Sequence, residues 1–354
     1  MYVGPTNISA LARIPAVHGD VRVLADVGAG HIGAIRSFLT RAADDGERVF
    51  GDVFRLDHPD VIAAIDDAAG RGGVSLLMDH GDALPALQHL VGRDGVELAG
   101  YGAAAIDGSG ASAFVDHAKG WATRRHLLFS TASPHGNGVG QVNLTLELGA
   151  DPARAYAGAI TAGIGGTYDA RRAALEAARD AGVVINDPEL GVRHLDDAMR
   201  AVINGSEHDL RVVIKEFLDP SWARDIVRAR ARGVDARVVT RQIDDVSHAI
   251  LRDARIPVGP LPMTGPPGIW RHELADKLTW RRLHFNSVSA DDDTRMVVGT
   301  RYFWEPSKPG DRIARESGIV LAGPGTAAVR ASIDRLTGPL ATARDAVALL
   351  RGRG

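Results

Sequence analysis

With 354 residues, 45% of them hydrophobic, the chain has material for one large core or two medium ones. Its 41 Lys and Arg against 44 Asp and Glu leave a net charge of −3, which argues against the overall basic field that draws nucleic acid. The lack of any cysteine rules out disulfides, thiolate metal sites and a cysteine nucleophile.

The first residues, Met-Tyr-Val-Gly-Pro-Thr-Asn, have neither the basic start nor the apolar core of a signal peptide. No apolar run reaches the length of a membrane span, so a soluble cytoplasmic protein is expected. Residues 21–25 read as a strand and 34–43 have helical periodicity. Between them, Gly28-x-Gly30-x-x-Gly33 stands where a dinucleotide-binding fingerprint would. The acid that should close the next strand is not clear, since residues 49–56 match a later strand instead. A plain strand–turn–helix glycine loop is therefore expected, with no cofactor. Residues 48–56 alternate like a strand, Asp57-His-Pro-Asp60 forms a turn and cap, a helix follows through residue 69, and 73–78 is another strand.

The second half repeats this succession: helix 195–203, strand 210–217, turn Asp219-Pro220, helix 223–231, strand 236–240. An internal repeat of this size predicts two related lobes, with a boundary at the loop expected around 184–187. Strands alternating with helices imply parallel or mixed sheets covered by helices. The lobes are thus expected at 1–184 and 185–354. Other stretches carry less. Asp79-His-Gly-Asp82 and His135-Gly-Asn137 read as polar loop tips, and the 13 histidines include no metal-ligand spacing, His272-Glu-Leu-Ala-Asp276 among them. Gly108-Ser-Gly110 lacks the flanks of a nucleophile elbow. Residues 257–268 form a Gly- and Pro-rich connection or lid, and 341–350 an amphipathic helix suited to lobe packing.

The chemistry concentrates in residues 114–133. His117-x-Lys119 precedes an apolar run, 127–129, that ends in the hydroxyls Ser130 and Thr131. In an extended segment His117 and Lys119 would share a face, placing a nucleophile or acid beside a cation able to grip an anion. About half a chain later, His284-Phe-Asn286 is followed by Asp291, the apolar run 296–298 and Gly299-Thr300.

This doubled pattern resembles the phospholipase D superfamily, whose members carry two copies of His-x-Lys-x4-Asp, each followed by a strand ending in a small pair. The first copy here has Arg124 in place of the acid, and the second has Asn286 in place of the lysine. The resemblance implies two pseudo-symmetric lobes, each a mixed sheet flanked by helices, with His117 and His284 meeting at the seam. It implies a phosphodiesterase or phosphotransferase working through a phosphohistidine, one histidine attacking phosphorus and the other protonating the leaving oxygen. The sequence leaves their order open. Lys119 and Asn286 would flank the phosphate and Ser130, Thr131 and Thr300 would line its far side, with Arg124 or Arg125 able to turn inward as a substitute cation. Among supporting residues, Glu316 stands where the family has an acid that orients a histidine, and Gln141 is its neutral counterpart in the first half. The expected substrate is a small or lipid-derived phosphodiester. A nuclease is less favoured, because the charge is slightly acidic and aromatic residues make up only 5%. A catalytically degenerate binding protein, or the same fold redirected to other chemistry, is the alternative.

Overall fold

The computed structural model describes residues 15–25, 30–81, 83–102, 114–135, 143–259, 269–271, 284–291, 294–303 and 313–341. In chain order the first half supplies β1 (Arg22–Ala25), β2 (Val49–Val53), β3 (Val74–Asp79), β4 (Val96–Tyr101), β5 (Phe114–Asp116), β6 (Gly120–Ala122), β7 (Leu127–Ser130) and β8 (Thr145–Leu148). All but β5 form one sheet in the order β1-β8-β7-β6-β2-β3-β4. The second half supplies β9 (Val183–Asp187), β10 (Val192–Arg193), β11 (Asp209–Phe217), β12 (Asp235–Asp244), β13 (Val258–Gly259), β14 (Ile269–Arg271), β15 (Asn286–Ala290), β16 (Arg295–Gly299) and β17 (Ile313–Ala322). Its sheet runs β10-β9-β17-β16-β15-β11-β12-β13, with β14 added to β12.

The two orders are the same plan twice. β2, β3 and β4 are parallel neighbours, as are β11, β12 and β13. The antiparallel series β6-β7-β8 then matches β15-β16-β17. Registers set the correspondence residue by residue. Ser130 faces Thr145 as Gly299 faces Gly318, so Thr131 corresponds to Thr300 and Asn143 to Glu316. Asp52 faces Gly120 and Val213 faces Ser287, which makes Lys119 the counterpart of Asn286, and Phe54 that of Lys215.

Helices α1 (Gly30–Asp44) and α2 (Pro59–Arg71) cover the outer face of the first sheet. Helices α3 (Ala150–Gly165) and α4 (Tyr168–Asp180) follow β8. The second sheet is covered by α5 (His194–Gly205), α6 (Pro220–Ala231) and α7 (Asp245–Asp253), and α8 (Pro324–Ala341) follows β17. Local chemistry sets the helix starts. The side chains of Thr167, Asp219 and Asp244 each accept from a backbone N–H of the first turn, and Pro220 supplies a preset φ at the first position of α6. A central core joins the sheets: Phe129, Leu146 and Tyr156 from the first half and Phe285, Val298 and Ile319 from the second are fully buried together. Each such side chain contributes about 1.5–3 kcal/mol by leaving water. That cluster is why the halves behave as faces of one seam.

One expectation changes here. The loop expected at 184–187 is β9, because Val183, Val184 and Ile185 are all buried and pair with β17, so the change of sheet falls between β8 and β9. The Gly-rich segment does not sit in a nucleotide-binding βαβ unit: β1 is an edge strand antiparallel to β8, and three strands separate it from β2. Residues 108–110, 272–276 and 342–350 and most of the 257–268 connection lie outside the described residues. Among the described residues, no helix is long and apolar enough to cross a membrane.

Candidate active site

The site forms where β5 crosses from the first half to pair in parallel with β17, Asp116 facing Arg315. His117 N then donates to Arg315 O at 2.9 Å, which sets His117 beside Glu316. The His117 ring nitrogen Nδ1 lies 2.8 Å from Glu316 Oε2. A carboxylate only accepts, so this nitrogen carries the proton and Nε2 keeps its lone pair. His284 approaches from the other half, its ring centroid 6.3 Å from that of His117. Its Nδ1 donates to Thr131 O at 3.1 Å and to Asn143 Oδ1 at 3.2 Å, while Nε2 accepts from Tyr302 OH at 3.1 Å. The histidines expected at one site are together.

The partners of the two rings are repeat counterparts with different charge. Thr300 Oγ1 donates to Glu316 and Thr131 Oγ1 to Asn143 Oδ1 at 3.2 Å, so each hydroxyl steadies the group that steadies a histidine. Both hydroxyls are thus engaged with the partners of the rings. Ser130 is also engaged, its Oγ 3.1 Å from Thr145 Oγ1 and accepting from Ala132 N. The counterpart of Glu316 is Asn143, not Gln141, which lies outside the described residues.

Electrostatics separates the rings. Burial pushes the Glu316 carboxyl up, but His117, the Lys119 ammonium and the Thr300 hydroxyl together hold it below the usual carboxylate range, so it is ionised. Burial lowers the His117 pKa, opposed by Glu316 and reinforced by Lys119. His284 is held well below an ordinary histidine by burial, then by Lys215, Lys119 and His117, with no carboxylate among the described residues in hydrogen-bond contact to offset them. Lys119 is buried, its Nζ donating to His117 O and lying 5.0 Å from the Phe54 ring centroid, and burial pushes it down to about 7. Residues 117–119 lie between β5 and β6, not within either strand, so Lys119 meets His117 by folding back rather than by strand alternation.

Behind the dyad sits a buried charge cluster. Arg315 contacts Asp52, with Asp116 at 3.6 Å and Asp187 at 3.7 Å. Tyr156 OH donates to Asp52 and Tyr101 OH to Asp187, each at 2.9 Å. Burial and then Asp52 push the Asp116 carboxyl well up, against the pull of Arg315. Since Asp116 and Arg315 immediately precede His117 and Glu316, this cluster fixes the backbone from which the dyad projects.

Other sequence-expected residues fall away from the chemistry. Arg124 is exposed, and Arg125 turns outward to Glu47 and Asp45, so neither stands in for the missing cation. Asp291 lies at the end of β15 opposite Asn286 and accepts from the backbone amides of Glu207, His208 and Asp209. It caps a turn. Asn286 is fully buried, its Oδ1 accepting from Lys215 N at 2.8 Å. Tyr302, Asn143 and Lys215 were not legible as site residues from either motif. For Lys215 the usable signal was the repeat itself, which aligns strand 210–217 with strand 48–56. A cavity of about 600 Å³ opens from His117, Tyr302 and Glu316 along the apolar side chains of Val115, Val192 and Ile313. Its lining also includes Arg193 and Arg301, both paired with Asp196.

Neither family models nor curated proteins match the sequence. Solved structures do, and the two mixed sheets flanked by helices make a phospholipase D-like fold. Phosphatidylserine synthase from Haemophilus influenzae is 11% identical with a TM-score of 0.62, over 92% of this chain and 89% of that one. Polyphosphate kinase from Porphyromonas gingivalis is 13% identical with a TM-score of 0.57, and the match takes 92% of this chain but only 48% of the kinase. The phospholipase D family member Nuc from Salmonella typhimurium matches 44% of this chain over 93% of its own length, at 17% identity and a TM-score of 0.30.

Proposed function

We propose that the chain is a phospholipase D-like phosphodiesterase or phosphotransferase that works through a phosphohistidine on a small or lipid-derived phosphodiester. The observation that carries this reading is the buried His117–Glu316 pair facing His284 across one seam. His117 is the nucleophile. Its Nε2 attacks phosphorus, the ring becomes cationic, and Glu316 is the only carboxylate in hydrogen-bond contact with either catalytic ring among the described residues. His284, protonated with the substrate anion in place, gives its proton to the leaving oxygen as the P–O bond breaks. It is then neutral, as its surroundings favour, and takes a proton from water or an alcohol that attacks phosphorus and frees His117. Lys119 neutralises the non-bridging oxygens.

The similar structures bear names of a lipid synthase and a polyphosphate kinase, and the apolar wall of the cavity supports the lipid-derived side of that pair. The test is a panel of phosphodiesters, among them a short-chain phosphatidyl diester, turned over by native chain, His117→Ala, His284→Ala and the double variant. Each single change should abolish turnover and the double should be little worse, because residues that act as one unit are non-additive. Turnover largely intact in either single variant would show that the two rings do not share a reaction. Tight binding of one diester without turnover by the native chain would favour a binding protein, the reading to which Asn143 and Asn286 lend themselves.

A further inference from the structure

In the first lobe the ammonium comes from the motif, just before β6: Lys119 stands beside Phe54, which follows β2. In the second lobe the same two positions hold Asn286 and Lys215, so the lysine stands on the other strand of the pair. Asn286 is too short to reach past its own strand, and its Oδ1 holds Lys215 N at 2.8 Å. Its Nδ2 is buried without a hydrogen-bond partner among the described residues. The Lys215 side chain, only 15% exposed, brings Nζ to 3.1 Å from Tyr302 OH and 4.4 Å from the Tyr302 ring centroid. That same hydroxyl is 3.1 Å from His284 Nε2.

We propose that Lys215 is the second phosphate-binding cation of the site, delivered from β11 in place of the side chain at 286, with Asn286 fixing the backbone from which it reaches. This rests on the phosphoryl-transfer reading above. Through the Tyr302 hydroxyl the Lys215 ammonium is joined to His284 Nε2, and the Tyr302 ring lies 5.4 Å from that of His117, so the ammonium stands beside both imidazoles. In the resting site it is shared with Glu216, 3.3 Å away, which an incoming phosphate displaces. The groups that face His284 are Lys215, Lys119, His117 and Tyr302, and after burial Lys215 is the strongest of the charges that lower its pKa. A bound anion relieves that repulsion and lets His284 take up the proton it must later give away.

The test compares the native chain with Lys215→Met and Lys215→Arg, using calorimetric titration with inorganic phosphate and an NMR pH titration of the His284 ring. Removing one charge-assisted contact should weaken phosphate by about 10- to 100-fold in Lys215→Met, with much of the affinity kept in Lys215→Arg. The His284 midpoint should rise in Lys215→Met and stay near its native value in Lys215→Arg, a response that a purely structural lysine would not produce. Native-like phosphate affinity or an unmoved His284 midpoint in a folded Lys215→Met variant overturns the inference while leaving the proposed function standing, provided Lys119→Met weakens phosphate. Failure of the native chain itself to bind phosphate overturns both.

Discussion

Replacing Glu316 by Gln isolates the feature on which the order of the two histidines depends. The amide has the shape of the carboxylate and can still accept from His117 Nδ1 and Thr300 Oγ1, so the fold should survive. What it loses is charge. A charge-assisted hydrogen bond of this kind contributes about 1.5–3 kcal/mol, roughly twice its neutral equivalent. The attraction between the ring cation and a carboxylate about 4 Å from its centre is about 4 kcal/mol at an effective dielectric of 20, an upper bound. Taking about 2–3 kcal/mol as the loss when the ring turns cationic, formation of the phosphohistidine should slow by about 30- to 150-fold. A second effect runs the same way. Glu316 is the largest charge raising the Lys119 pKa against burial, so its removal takes Lys119 lower still and weakens anion binding at neutral pH. Burst and steady-state kinetics with bis(4-nitrophenyl) phosphate separate the two, the burst rate reporting attack by His117 and KM the anion. A Glu316→Gln variant with native melting behaviour and a native burst rate would refute the assignment of His117 as the nucleophile.

Three further outcomes follow from the same geometry. Lys119 is pushed down to about 7, so in the resting site it is charged below that pH and neutral above it; inorganic phosphate should bind progressively less well as pH rises through 7, and Lys119→Met should flatten that part of the profile. Arg315→Met leaves Asp52, Asp116 and Asp187 without their shared cation in a fully buried cluster, and should cost about 3–5 kcal/mol in a denaturant titration, with loss of the dyad's geometry. Arg124→Ala, at an exposed position, should leave both stability and turnover within error of native.

The sequence made the plan of the lobes legible because strands and helices there follow strong local rules. Alternation marked β2, the repeat of its succession marked β11, Asp219-Pro220 marked the start of α6, and both apolar runs after the histidines became strands β7 and β16. His117, His284, Lys119 and Glu316 were legible through the doubled motif. The rest was hidden for physical reasons. Glu316 serves the histidine of the other half, a contact made by the parallel pairing of β5 with β17 that no local pattern encodes. Asn143 is brought to His284 by strand register, which motif spacing alone does not encode; that spacing points to Gln141 instead. Lys215 belongs to neither motif. Its reach into the site depends on β11 lying against β15, a pairing between segments more than seventy residues apart. Arg124 looked like a substitute cation only because a side chain's direction cannot be read from its place in a motif.

The most direct measurement uses a leaving group that needs no proton. His284→Ala is mixed with bis(4-nitrophenyl) phosphate, quenched in base and mapped by mass spectrometry. The account predicts one burst of 4-nitrophenolate and a 4-nitrophenyl phosphoryl group on His117, stable to base, labile to acid and slow to clear, because attack needs only His117 while its resolution needs the missing base. No burst, or an adduct on any residue other than His117, would contradict it.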